Sequence, residues 1–351
     1  MTILLYIFIT ALVIGLLTFI HEFGHFFFAR LFKVPVLEFA IGMGPKIYSW
    51  EGKYGTKYAL RLFPIGGFVQ MEGEEGTSEN PQAYNNLNPW KKIIVTAAGP
   101  VINILFAVIV MFGLVVSTPV IGSTTISNFY ENSITNSQLQ LGDEIVKVGN
   151  VNVHTFEELS YEITMQGYEA VDITVIRNGE RVELQDVVFY TTEESGVVLG
   201  VMDFTLFPLD SIKEVTFFDY LKSAFFRSTN MVKMVFDSLW GMMTGRFSLD
   251  AMSGPIGMVD TVGQMAEVSK EYNTAEPIVN LIVLISMNLG IFNLLPIPAL
   301  DGGRILFHLI DGIAGRKVIK KEIEDNITMV TMILLLAFML FISVKDVIKL
   351  F

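Results

Sequence analysis

The sequence predicts a polytopic α-helical membrane protein with four spans and a β-rich soluble insert between the second span and the third. Three observations carry that prediction. The 351 residues are 52% hydrophobic and only 17% charged, with a mean hydropathy of +0.52, well above that of a soluble domain. Four runs without a single charge stand at residues 3–20, 93–116, 278–300 and 329–344, the last being the shortest. Residues 117–277 hold nine Lys and Arg against 23 Asp and Glu, in short runs broken by turn residues.

In chain order, the first run continues through Phe-Phe-Phe-Ala to Arg30. It lacks the basic start and the small-residue cleavage site of a signal peptide, so it reads as a retained span. Next comes a polar segment in which Gly42-Met43-Gly44-Pro45 marks a tight loop and Tyr58–Met71 has strand propensity around a Pro/Gly turn. Glu74 and Glu75 follow as solvated loop charges. After the second span, Leu141–Asn150, Val171–Ile176 and Val182–Val188 read as strand-bearing stretches, with Asn178-Gly179 as a hairpin turn and Thr155–Gln166 as a helix. Phe217–Met243 has apolar positions at helical spacing and joins the insert to the membrane surface. The resulting division is a membrane core at 1–116, an insert at 117–205, a helical connection at 206–277 and a second membrane core at 278–351.

Lys and Arg counts set the orientation. Residues 30–92 carry eight and residues 304–326 carry five, which places both segments in the cytoplasm, with the acidic insert and both termini outside. A net charge of −12 excludes an electrostatic partnership with nucleic acid. The absence of cysteine excludes disulfide scaffolds, Fe–S clusters and thiol nucleophiles. Nothing in the composition fixes an oligomeric state.

The chemistry interrupts the first span at His21-Glu22-Phe23-Gly24-His25. Histidines four apart share one helical face and can ligate a single ion, while the glutamate between them can reach a water on that ion. Polar groups inside a span are costly and are functional by default. A catalytic zinc takes three protein ligands and keeps a position open. His154 in the acidic insert and His308 beyond the third span are poor candidates for the third. Asp301 is the better one: it closes Asn293-Leu-Leu-Pro-Ile-Pro-Ala-Leu-Asp301-Gly-Gly303 at the expected C-terminal end of span three, level with the histidines. One zinc per chain is expected.

These motifs, together with Ala98-Gly-Pro-Val-Ile-Asn103 in span two and Ser253-Gly-Pro-Ile-Gly257 before span three, resemble the site-2 proteases, intramembrane zinc metalloproteases, in their bacterial RseP/RasP-like branch. The resemblance covers essentially the whole chain. It implies that His21, His25 and Asp301 bind zinc and that Glu22 is the general base. It implies that Asn293, with the helix-breaking Pro296 and Pro298, contacts substrate, and that Tyr58–Met71 is a membrane-associated β-hairpin. Gly66, Gly67 and Phe68 of that hairpin are candidate contacts for an extended substrate added as a strand. The insert looks like a single PDZ domain outside the cell, serving as a peptide binder or as a steric filter; Ser137-Gln-Leu-Gln140 departs from the family's Gly-rich form. Expected substrates are single-span proteins of the bacterial plasma membrane, such as anti-sigma factors and remnant signal peptides, cut towards the cytoplasmic side of the bilayer. The competing reading is a catalytically silent membrane adaptor with a PDZ module.

Overall fold

The computed structural model describes residues 2–349 apart from 75, 119, 195 and 249–253, so Glu75 and Ser253 lie outside the described residues. The chain divides into two compact units, Met1–Ala107 with Ser253–Phe351, and Val108–Met252. Among the described residues four helices are long and apolar enough to cross a membrane.

The first unit begins with α1 (Thr2–Leu31), followed by strands β1 (Val36–Glu51) and β2 (Lys57–Met71) and by α2 (Pro89–Ser117), whose last turns belong to the second unit. Residues 58–71 therefore do not form a hairpin of their own. They are one strand, and its partner contains the Gly42–Pro45 segment expected to be a loop. The reason is local: Gly42 and Gly44 adopt φ of +84° and +86°, so the strand bends at these points instead of ending. The antiparallel pair is folded back on itself, and Glu38–Ile41 partners both Gly67–Gln70 and Lys57–Leu60. Phe39, Val69 and Met71 pack with Ala29 and Val95 in a buried cluster that seats this sheet on the helices.

In the second unit a sheet runs in the order β10 (Phe204–Pro208), β3 (Gly122–Phe129), β4 (Glu144–Val148), β6 (Val171–Arg177), β7 (Glu180–Val187), with β5 (Val151–Asn152) paired to β4. Strands β8 (Tyr190–Glu194) and β9 (Val197–Val201) form a separate ribbon. Asn178 and Gly179 both take positive φ and join β6 to β7, as the Asn-Gly pair predicts. The helix α3 (Phe156–Gln166), capped by the Thr155 hydroxyl, closes a core of Ile126, Ile145, Leu159, Ile163 and Phe204. The expected helix at 217–243 is α4 (Phe217–Met243). Its polar side chains turn inward: Lys233 pairs with Glu162 at 2.8 Å and Tyr161 donates to Asp237 at 2.9 Å. Phe218, Phe225, Phe236 and Trp240 are left exposed.

The first unit resumes with α5 (Pro255–Glu271), α6 (Glu276–Leu294), α7 (Asp301–Ala314) and α8 (Lys321–Lys349). The expected third span thus ends at Leu294 and not at Leu300. The apolar composition runs on, but Pro296 and Pro298 cannot continue the hydrogen-bond ladder. Asp301 accordingly opens a new helix, where an ending had been expected.

Candidate metal centre

Helix α1 fixes two of the donor groups because its 3.6-residue period stacks His21 and His25 on one face. Their Nε2 atoms stand 3.2 Å apart, and both rings are buried. The third group arrives from the link between α6 and α7. That link folds back so tightly that a Cβ on Gly302 would meet the Leu295 carbonyl oxygen at 2.1 Å, and one on Gly303 the Ile297 oxygen at 2.4 Å. The two glycines therefore let Asp301 reach the histidines: its Oδ2 lies 3.0 Å from His21 Nε2 and 3.4 Å from His25 Nε2. Among the described residues this is the one trio of such side chains close enough to share an ion.

Zinc fits this arrangement. Ligands about 2.0–2.1 Å from a tetrahedral zinc stand about 3.3 Å from one another, and the three donor atoms form a triangle with edges of 3.0, 3.2 and 3.4 Å. Asp301 Oδ2 is buried without a hydrogen-bond partner. Taken as ion pairs, the contacts would require doubly protonated rings; taken as ligands, they require neutral ones. His25 can take the neutral form, with Nδ1 donating to the Val95 carbonyl 2.9 Å away and the Nε2 lone pair left for the ion. A Cβ on Gly99 of α2 would sit 2.4 Å from His25 Nε2 and 2.9 Å from His21 Nε2, so the bare glycine keeps the space beside the donors clear.

A cavity of about 560 Å³ opens on the trio, and Glu22, Phe68, Asn293 and Arg304 also line it. Of the other substrate-contacting candidates, Gly67 packs on Glu22, whose Cγ lies 3.4 Å from where a Cβ would stand. Gly66 turns the strand at φ +80° beside Met43, and Pro296 and Pro298 shape the link without lining the cavity. His308 is no ligand of this trio: Tyr84 Oη lies 2.9 Å from its Nε2 and 2.9 Å from Thr96 Oγ1. Burial, with Lys92 and Arg304 nearby, pushes His308 down to about 4. His154 belongs to the insert, where it pairs with Glu158.

Sequence reasoning missed several residues here. Glu74 is no solvated charge, because Arg304 Nη1 binds it at 2.7 Å and Lys321 Nζ binds its carbonyl at 2.7 Å. Burial would raise Glu38 at the cavity wall, but hydrogen bonds from Lys46 and Arg61 hold it below the usual carboxylate range. Pairings of this kind leave no mark in a single sequence. Gly99 and Asn103 did leave one, since an Asn inside an apolar span needs a reason.

The sequence profile of peptidase family M50 matches residues 9–338. The chain is 30% identical to the zinc metalloprotease RasP of Shouchella clausii, over 97% of this chain and 98% of that protein. Two relatives named provisionally as zinc metalloproteases are similar over comparable lengths. The one from Clostridium acetobutylicum is 35% identical over 97% of this chain and 96% of its own. The one from Fusobacterium nucleatum is 36% identical over 98% of each.

Proposed function

This chain belongs to peptidase family M50, the site-2 protease family of zinc metalloproteases, and from that premise we propose that it cuts single-span membrane proteins within the bilayer, with His21, His25 and Asp301 as zinc ligands and Glu22 as general base. The observation that carries the residue assignment is the triangle of donor atoms with Glu22 on the same cavity wall. Zinc, when bound, supplies the Lewis acidity that polarises the scissile carbonyl and brings the pKa of water towards 7.

The chain's own residues do the rest. Glu22 takes the proton of the attacking water and later delivers it to the leaving amine. A substrate helix hides its peptide bonds, so it must be unwound before it is cut. The strand segment Phe68–Met71 lines the cavity and offers backbone to an extended substrate, in the manner of strand addition. Asn293, on the same wall, can both donate to and accept from the unwound backbone.

The remaining readings rest on charge and on resemblance. The basic segments 30–92 and 304–326 lie in the cytoplasm, and the insert is a single PDZ domain on the other face of a bacterial plasma membrane. The outward Phe and Trp stripe of α4 supports its seating on lipid. The insert acts as a steric filter that admits anti-sigma factors or signal peptides already shortened outside.

Glu22→Gln tests the core of this proposal. The variant should bind zinc as the wild type does and leave a model transmembrane substrate uncut. Loss of zinc with the fold intact would show that Glu22 is structural, and undiminished cleavage would remove it from the mechanism.

A further inference from the structure

We propose that Asn103 is a positioning residue for the metal site: its amide oxygen accepts the Nδ1 proton of His21 and so keeps the Nε2 lone pair of that ring on the ion. The inference rests on the assignment of His21 as a zinc ligand made above.

A ligating imidazole is neutral, with one nitrogen on the metal and its proton on the other, and that second nitrogen needs an acceptor. For His25 the acceptor is the Val95 carbonyl at 2.9 Å. For His21 the group within reach is the Asn103 amide of α2, at 3.4 Å from Nδ1. With its nitrogen towards the ring, the amide leaves Oδ1 buried with no partner and would set two donors face to face in the ligating tautomer. The oxygen and nitrogen of an asparagine are assigned from their surroundings, and a half-turn of the amide exchanges them. With Oδ1 on Nδ1–H, His21 is held in the tautomer that zinc requires.

The site is built for this contact. Asn103 is fully buried in an apolar span, where an amide without a task is costly. Its own carbonyl accepts from the fully buried Ser286 hydroxyl of α6 at 2.9 Å, which fixes this turn of α2. Gly290 of α6 lets the helices approach until a Cβ there would meet the Pro100 oxygen at 2.8 Å. Gly99 and Asn103 are four residues apart and share a face of α2. One clears the space beside the donors, and the other reaches the far nitrogen of His21.

The test measures zinc affinity of the purified full-length protein by chelator competition, with no substrate present. Asn103→Leu keeps similar volume and has no acceptor, so it should weaken zinc by about 10- to 100-fold. Asn103→Asp has the acceptor and no amide hydrogen, so it should stay within about threefold of wild type. Wild-type affinity in Asn103→Leu, alongside lost zinc in His21→Ala, would overturn the inference and leave the ligand assignment standing. Zinc retained by His21→Ala would sink both. If Asn103→Leu does not fold, Asn103→Ala takes its place: it also lacks the acceptor and should lose zinc affinity about 10- to 100-fold, and wild-type affinity there overturns the inference.

Discussion

A methyl group added at Gly99 should weaken zinc binding at least ~100-fold, while one added at Gly113 of the same helix should leave it unchanged. The Cβ of Gly99→Ala would stand 2.4 Å from His25 Nε2, 2.7 Å from His25 Cε1 and 2.9 Å from His21 Nε2. Ordinary contact begins near 3.4 Å, so the His25 ring is about 1 Å too close and the His21 ring about half that. The strain cannot pass to a flexible side chain, because α1 and α2 already touch through backbone here: a Cβ on Gly24 would meet the Ala98 oxygen at 2.5 Å. Moving the rings apart by about 1 Å opens the donor triangle beyond what a tetrahedral zinc spans. We expect at least a 100-fold loss of affinity, about 2.7 kcal/mol. The control is Gly113→Ala, which meets nothing within 4 Å. Chelator competition on both variants, with thermal unfolding to confirm the fold, reads the result. Zinc bound by Gly99→Ala within twofold of wild type would refute the placement of the ion beside Gly99.

Three further outcomes are expected. The chain has no cysteine, so a single one at Thr155 should react with an impermeant reagent on intact cells and one at Ser78 should not; the reverse pattern inverts the topology. Deleting residues 121–201 with a flexible rejoining linker should release cleavage of a substrate that carries a bulky extracytoplasmic domain. A fall in cleavage of the short-stub substrate would instead make the insert a docking site. His308, held at about 4 when folded, titrates near 6.5 in an unfolded chain, so the unfolded state binds the proton first. Stability should therefore fall as pH drops from 6.5 through 4, by on the order of 3 kcal/mol, and His308→Gln should flatten that part of the unfolding profile; matching wild-type and variant profiles would count against it.

What the sequence reveals depends on how local each cause is. Helices α1 and α2 follow from charge-free runs, and the Asn178-Gly179 turn from backbone preferences of two residues. The period of α1 brings His21 and His25 together without help from the rest of the chain. Strand β1 was hidden because two glycines and a proline, the usual marks of a loop, here bend a strand that is held by partners up to 35 residues away. The motif singles out Asp301 but not its route. It enters from the start of α7 through a fold-back that depends on the two following glycines and the Leu295 and Ile297 carbonyls. Such three-dimensional crowding has no periodic signature. The Glu74–Arg304 pair is invisible for the same reason, since neither residue announces a partner 230 positions away.

The entry of Asp301 from the start of α7 bears on when this protein can become reactive. The paired imidazoles reach the membrane with the first helix, but two donors alone do not complete a catalytic zinc site. On the ligand assignment proposed above, the carboxylate leaves the ribosome about 280 residues later, on the order of tens of seconds at ordinary elongation rates. During that interval the nascent chain carries its base and two of its three ligands without hydrolytic power. Fragments broken off before the last two helices are inert for the same reason. On that assignment the catalytic site stays incomplete until synthesis of the chain is nearly finished.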